Sequence, residues 1–303
     1  MKTSDFLSVR KKYLKYLKKQ EILGQPFQDK YGQLKNYYIP ICNLIYKNYL
    51  TKNKVIIIGL SGSQGSGKST ITEILKIILK TKYNLNTVSF SIDDFYKTLA
   101  ERKKLSKKSN KLFFTRGVPA THDTKLLLKT FKNLQKKSFK KFLIPKFDKS
   151  KDDRMTRSKW KIVKRKPDVV IFEGWCVGAK HQKKHELKKP INFLEKEFDP
   201  KLIWRKKVNN QLKNIYSTIF KKIDKLIFLK VPSFQSVYRW RLLQERKLQL
   251  TSKSKKTMSS SQVKRFIMFY ERITKQMMKD LPKRAQAVLY LDKKHKFFKI
   301  RFN

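Results

Sequence analysis

Val55-Ile-Ile-Ile-Gly-Leu-Ser-Gly-Ser-Gln-Gly-Ser-Gly-Lys-Ser-Thr70 holds four of the chain's nine glycines, Gly59, Gly62, Gly65 and Gly67. Glycine is concentrated here because backbone must come close to something that a side chain would displace. A β-branched run followed by Gly62-x-x-x-x-Gly67-Lys68-Ser69 is the pattern of a phosphate-binding loop between a buried strand and a helix. Successive backbone N–H groups and the helix N-terminus then surround the phosphates of a nucleoside triphosphate. The expected nucleotide contacts are Gly62, Ser63, Gln64, Gly65, Ser66, Gly67, Lys68, Ser69 and Thr70. Lys68 reaches the outer phosphates, and the Ser69 hydroxyl suits magnesium, a hard cation that prefers oxygen. The stretch therefore implies ATP or GTP bound with Mg2+.

Working outward, Thr70–Tyr83 carries Ile71, Ile74, Leu75, Ile78 and Leu79 at the 3.6-residue period, which predicts the helix whose N-terminus faces the phosphates. Short apolar runs at Thr87–Ile92, Val169–Phe172, Leu226–Leu229 and Val288–Leu291 predict further strands. Strands alternating with helical segments imply an α/β fold with a mostly parallel sheet flanked by helices. Residues 1–50, with apolar faces at Tyr13, Leu14, Tyr16, Leu17 and at Tyr38, Ile41, Leu44, Ile45, Tyr49, read as a helical N-terminal extension to a domain spanning 51–303. Three segments break the rhythm: Lys97–Lys111 reads as a mobile lysine-rich loop, Lys151–Lys166 as an ordered substrate loop or merely solvated charge, and Ser252–Ser261 as flexible low-complexity chain.

The length of 303 residues with 40% hydrophobic content allows one α/β domain with appendages. A net charge of +53, from 75 basic and 22 acidic residues, first suggests a polyanionic partner. Only 14 of the basic residues are arginine, however, and the lysines are spread along the whole chain, which favours compositional bias with solvated lysines over nucleic-acid binding. Cys42 and Cys176 have no metal-ligand spacing and no disulfide framework. The N-terminus lacks a signal-peptide apolar region, and no apolar run approaches the roughly 20 residues of a membrane helix, so a soluble cytoplasmic protein is expected.

Acidic residues close two of the predicted strands. Ser91-Ile-Asp-Asp-Phe-Tyr96 puts Asp93 and Asp94 at the sheet edge where ligands of open α/β sheets bind, and one of them can accept a hydroxyl proton or help hold magnesium. Their plainer role would be a helix cap. Val169-Val-Ile-Phe-Glu173-Gly174 places Glu173 at the same edge, as the carboxylate that holds magnesium or its water shell. Thr115-Arg-Gly-Val-Pro-Ala-Thr-His-Asp123 combines a cation, a permissive glycine, a rigid proline and a His-Asp pair, ingredients suited to gripping a small polar anion.

Taken in order, Gly62–Ser69, Ser91–Tyr96, Arg116–Asp123, Pro145-Lys-Phe-Asp-Lys-Ser150, Phe172-Glu-Gly-Trp175 with Gly178, and Trp240-Arg-Leu-Leu-Gln-Glu-Arg246 resemble the D-glycerate 3-kinase family, from about residue 37 to 292. These are P-loop kinases related to uridine kinase, phosphoribulokinase and pantothenate kinase. The resemblance implies that Asp93 is the catalytic base and Glu173 the magnesium-associated carboxylate. It also implies that Arg116, His122 and Asp123 lie near the acceptor, with Asp148, Lys149 and Arg154 in a loop over the same pocket. Residues of about 234–250 would form a lid helix, with Arg239, Arg241 and Arg246 available to neutralise the transferred phosphoryl group. Two departures bear on the acceptor pocket: Ala120 stands where the family usually has glycine, and Lys151-Asp-Asp-Arg154 lacks the expected glycines. The expected function is ATP-dependent phosphorylation of D-glycerate to 3-phosphoglycerate. Its rivals are phosphorylation of uridine, pantothenate or another sugar acid, and a P-loop ATPase stimulated by nucleic acid.

Overall fold

The computed structural model describes residues 3–21, 26–52, 54–251 and 257–303. Ten strands run in chain order: β1 Ile56–Gly62, β2 Thr87–Ser91, β3 Phe142–Ile144, β4 Phe147–Asp148, β5 Asp153–Arg154, β6 Lys161–Val163, β7 Val169–Gly174, β8 Lys225–Lys230, β9 Ala287–Leu291 and β10 Phe297–Phe302. Six of them form the main sheet in the order β10-β9-β8-β1-β7-β2, all parallel except β10, which runs antiparallel to β9. β3 pairs with β6, and β4 with β5, in two small antiparallel ribbons. The expected parallel sheet flanked by helices is the observed architecture.

Alternate residues of each central strand feed opposite faces, as the two-residue period of a strand requires. On one face Ile57, Val170, Phe172, Leu226 and Phe228 join Leu127 and Phe131 from the helix Thr124–Gln135 and Tyr270, Ile273 and Met277 from the helix Ser260–Arg284. On the other, Ile56, Ile58, Leu60 and Ile171 meet Ile71, Ile74 and Ile78 of the P-loop helix Lys68–Tyr83. Val9, Tyr13 and Leu17 of the helix Thr3–Gln20, with Ile41 and Ile45 of the helix Ile39–Lys52, belong to this second cluster. The N-terminal helices thus share a core with the sheet. Between them, the Gln33 carboxamide donates to the Phe297 carbonyl and accepts from the Phe297 N–H, both at 2.9 Å.

Several segments differ from the sequence reading. Lys97–Lys111 is not a loop: Leu99–Lys108 is a helix, opened by a capping box between Thr98 and Glu101. Its anchor is Arg102, fully buried and donating to the carbonyls of Lys97, Phe114 and Asp152, so no apolar stripe announces it. Lys151–Lys166, by contrast, takes the ordered alternative of its two readings, as β5, a single 3-10 turn at Arg157–Lys159, and β6. Within Ser252–Ser261, residues 252–256 lie outside the described residues, while Ser259 caps the helix Ser260–Arg284 through a box with Gln262. The sheet also gains β10, whose exposed Phe298 and Phe302 alternate with basic residues and do not read as a buried strand.

Both departures from the family pattern sit on glycine-like backbone. Ala120 has φ 90° and Asp152 φ 55°. Aspartate tolerates the left-handed region, whereas alanine there is strained by about 1–2 kcal/mol. His122, two residues on, is 1% exposed, stacked on Tyr96 with 4.7 Å between ring centroids, and its Nδ1 lies 2.6 Å from the Tyr216 hydroxyl. Burial holds its pKa down at about 4, against a smaller opposing pull from Asp93.

Two predictions follow from these strained or buried groups. Ala120→Gly relieves the left-handed strain and loses part of the gain to unfolded-chain entropy, leaving a net stabilisation of about 0.5–1 kcal/mol. A thermal melt showing a lower midpoint for the variant contradicts it. His122 has a folded pKa below that of a free histidine, so between about pH 6.5 and pH 4 the unfolded chain binds a proton that the folded chain refuses. Stability is therefore complete above about pH 6.5 and falls as pH drops toward 4, by on the order of 3 kcal/mol for this group. His122→Gln, which can keep a hydrogen bond to Tyr216, should flatten the pH dependence of urea midpoints, and parallel curves for the two proteins would count against the assignment.

Candidate active site

β1 ends in the phosphate-binding loop, whose tightness is measurable. A Cβ on Gly62 would lie 2.7 Å from Ser66 Oγ. Gly65 and Gly67 have φ of 76° and 83°. Gly67 offers no side chain to cap the helix Lys68–Tyr83, so the first N–H groups of that helix are open to an anion. Lys68 donates to the Ser63 carbonyl at 2.9 Å; burial lowers its pKa, while Glu173 and Asp93 pull it back up. The hydroxyls of Ser61 and Ser63 and the Gln64 side-chain carbonyl are buried without a partner among the described residues. Thr70 faces away, toward Tyr16 of the N-terminal helix.

At the end of the neighbouring strand β7, Glu173 is buried and accepts its one hydrogen bond among the described residues from Ser69 Oγ at 2.8 Å. Burial raises its pKa, against the opposing charge of Lys68 and the bond from Ser69. A buried carboxylate with one hydrogen bond, beside a hydroxyl and open helix N–H groups, fits a hard cation shared with phosphate oxygens. Gly174 allows β7 to approach the turn Ile92–Phe95, since a Cβ there would meet Ile92 at 2.5 Å. That approach brings Asp93 into the same field as Glu173 and Lys68.

The two aspartates of that turn have separate surroundings. Asp93 accepts from the Tyr96 phenol on Oδ1 at 2.7 Å and from Lys149 Nζ on Oδ2 at 3.0 Å. Burial alone would raise its pKa, but the Lys149 ammonium and these two hydrogen bonds prevail and hold it at about 2. Asp94 instead closes a capping box with Ser91 and faces Lys146, and burial raises its pKa.

Around Asp93 stands a wall of paired charges. Arg116 forms an ion pair with Asp152 and lies 5.5 Å over the Phe147 ring. Arg154 pairs with Asp123 at 3.3 Å and donates to the Tyr96 carbonyl at 2.8 Å. Asp123 also caps the helix Thr124–Gln135 through the Leu126 N–H. Asp148 is not brought into this wall: its carboxylate turns back to accept from Ser150 and Lys151. The Arg116–Asp123 segment is fixed from behind, where Trp175 Nε1 donates to the Gly117 carbonyl and the Tyr270 hydroxyl to the Arg116 carbonyl.

The helix Phe234–Thr251 lies directly on the phosphate-binding loop, and a Cβ on Gly65 would be 2.8 Å from Trp240 Cβ. Trp240 stacks on His295, with 3.9 Å between ring centroids, and His295 Nε2 lies 2.8 Å from the Gly65 carbonyl. Arg241 pairs with Glu245 and sits 5.5 Å over the Phe266 ring, whereas Arg239 and Arg246 are exposed. Sequence reasoning missed His295, which comes from the turn between β9 and β10 and carries no motif. It also missed Tyr96 and Asp152 as partners, although both lie inside or next to quoted motifs.

A profile of the Phosphoribulokinase / Uridine kinase family matches residues 57–205. An uncharacterized kinase of Schizosaccharomyces pombe, mug58, is 37% identical over 238 residues, which cover 76% of this chain and 83% of that protein. The chloroplastic D-glycerate 3-kinase of Arabidopsis thaliana is 32% identical over 256 residues, 79% of this chain and 53% of the plant protein. Among solved structures, D-glycerate 3-kinase from Cryptococcus neoformans var. grubii superposes with a TM-score of 0.73 at 22% identity, covering 88% of this chain and 99% of that one, a likeness of fold. With the phosphate-binding loop, the Ser69–Glu173 contact and the Asp93 turn gathered at one sheet edge, the chain belongs to the phosphoribulokinase/uridine kinase family of P-loop kinases.

Proposed function

We propose that this kinase transfers the γ-phosphoryl group of ATP to D-glycerate, giving 3-phosphoglycerate. The observation that carries the reading is the setting of Asp93. It is an ionised carboxylate at the sheet edge, in the field of Lys68 and Glu173, bordered by the cations Lys149, Arg116 and Arg154. A small acid needs a cation for its carboxylate and a base for its hydroxyl, and both stand side by side here. A nucleoside needs an aromatic shelf and an edge-reading amide, which the Arg116–Asp123 segment lacks. The plant relative, a D-glycerate 3-kinase, supports this choice.

In this mechanism the loop from Gly62 to Ser69 binds ATP, with Lys68 and the uncapped helix end holding the phosphates. Ser69 and Glu173 would hold magnesium, which supplies neutralisation of phosphate charge when bound. Asp93 orients the acceptor hydroxyl and takes its proton as the new P–O bond forms. Lys149, Arg116 and Arg154 steady the acceptor's carboxylate, and His122, neutral at physiological pH, backs Tyr96 from within. Arg241 and Arg246 of the lid meet the charge on the transferred group, Arg241 after exchanging Glu245 for phosphate oxygens.

Coupled ADP production against D-glycerate, L-glycerate, uridine, ribulose 5-phosphate and pantothenate tests the acceptor. D-glycerate should give the highest kcat/KM, and a higher value for uridine or pantothenate rejects the proposal. The paired aspartates give a second check. Asp93→Asn should lower kcat by roughly 10²- to 10⁴-fold, the span of a general base, with ATP affinity little changed. Asp94→Asn should act mainly on stability, by about 1 kcal/mol through the weakened cap. Reversal of the two effects would move the base to Asp94.

A further inference from the structure

Each cation that borders Asp93 is already bound to a carboxylate of the protein itself. Lys149 holds Asp93, Arg116 holds Asp152 and Arg154 holds Asp123. The three differ in how freely they can let go. Arg116 is also stacked over Phe147, and Arg154 is tied to the Tyr96 carbonyl by two N–H groups. Among the described residues Lys149 has one partner, and its side chain is 65% exposed, against 25% for Arg116 and 14% for Arg154. It sits in the tight link between β4 and β5, so it can swing without disturbing the core.

The partner of Lys149 is the group assigned to take the acceptor's proton. Asp93 Oδ1 is engaged by the Tyr96 phenol, which is buried and fixed, and Oδ2 by the Lys149 ammonium. Each oxygen of the base thus accepts one hydrogen bond, Oδ2 from a full positive charge and Oδ1 from a neutral hydroxyl.

We propose that Lys149 is a gate on the base, opened by the negative charge of the acceptor. This inference rests on the reading of Asp93 as base and of an anionic acceptor. Without acceptor, Lys149 masks Asp93 Oδ2. When an acid binds, its carboxylate draws the ammonium over, and Oδ2 is released to the acceptor hydroxyl. The hydroxyl proton then passes to Asp93, the acceptor oxygen forms a bond to the γ-phosphorus, and the bond from that phosphorus to the bridging oxygen breaks with its electron pair leaving on ADP. Water lacks a charge to exchange for Lys149, so it meets a masked base, and ATP is spared hydrolysis. Selection is then by charge as much as by shape: glycerol keeps both hydroxyls of glycerate but has a third in place of the carboxylate, and cannot open the gate.

Lys149→Met, which keeps the aliphatic stem, separates the gate from a plain binding role, with Lys149→Gln as a second variant. Acceptor-free release of ADP and inorganic phosphate from ATP should rise at least about tenfold in both. There water supplies the attacking oxygen and loses its proton to the unmasked Asp93. The ratio of kcat/KM for D-glycerate over glycerol should fall by at least about tenfold, chiefly through KM for D-glycerate. Acceptor-free hydrolysis within about twofold of the unaltered protein overturns the gate and leaves Lys149 as a binding residue, since loss of a contact with substrate alone does not raise turnover with water. If hydrolysis rises while another acid outperforms D-glycerate in the acceptor panel, the gate stands and the choice of acceptor fails.

Discussion

The helix Lys68–Tyr83 begins with backbone N–H groups that no side chain caps, at the centre of a sheet whose neighbouring strands β7 and β8 are buried. Gly67 and Ser69 are exposed, so these donors face solvent and are free to exchange water for an anion. The surrounding structure maintains that unsatisfied end. Gly62 and Gly65 admit Ser66 and Trp240 where any side chain would collide, and Glu173 stands at the next strand end with one hydrogen bond among the described residues. The site suits phosphate because its backbone donors and the positive end of the helix dipole point at one accessible spot.

The sequence revealed the parts of this arrangement that depend on local backbone. A glycine-rich turn must be written in glycine, and a buried parallel strand must be a β-branched run, so β1, the P-loop helix, and the strand ends carrying Asp93 and Glu173 were legible. Contacts that depend on distant partners were not. The helix Leu99–Lys108 has no hydrophobic face because a single buried guanidinium, Arg102, holds it. His295 reaches the Gly65 carbonyl from 230 residues away, across the β9–β10 turn. Arg116 reads as a free cation in the sequence, yet it is paired with Asp152 on a backbone that glycine would ordinarily supply.

In a chain with 75 basic and 22 acidic residues, a cation near any site carries little information, whereas the placement of an acid does. Acids cluster at two places. One is the Asp93, Asp123, Asp152 and Glu173 group at the sheet edge; the other is Glu195 and Asp199, buried with Arg205 and Arg272 between helices. The second cluster is closed on itself, each carboxylate meeting a guanidinium, and it fixes how the helix Ile203–Gln211 sits on its neighbours. The first faces the phosphate-binding loop. The same chemistry thus serves register in one place and exchangeable pairing in the other, separated by solvent access.

The carboxamide of Gln33 occupies both backbone groups of Phe297 on β10, the terminal strand of the main sheet. A terminal strand with exposed Phe298 and Phe302 is a template onto which a second chain can add by main-chain hydrogen bonding. One side chain, imitating a peptide unit, removes the first rung of that ladder, and Lys299 and Arg301 surround the rest with like charge on any identical neighbour. The cover on this sheet edge is thereby tied to a glutamine outside the phosphate-binding loop.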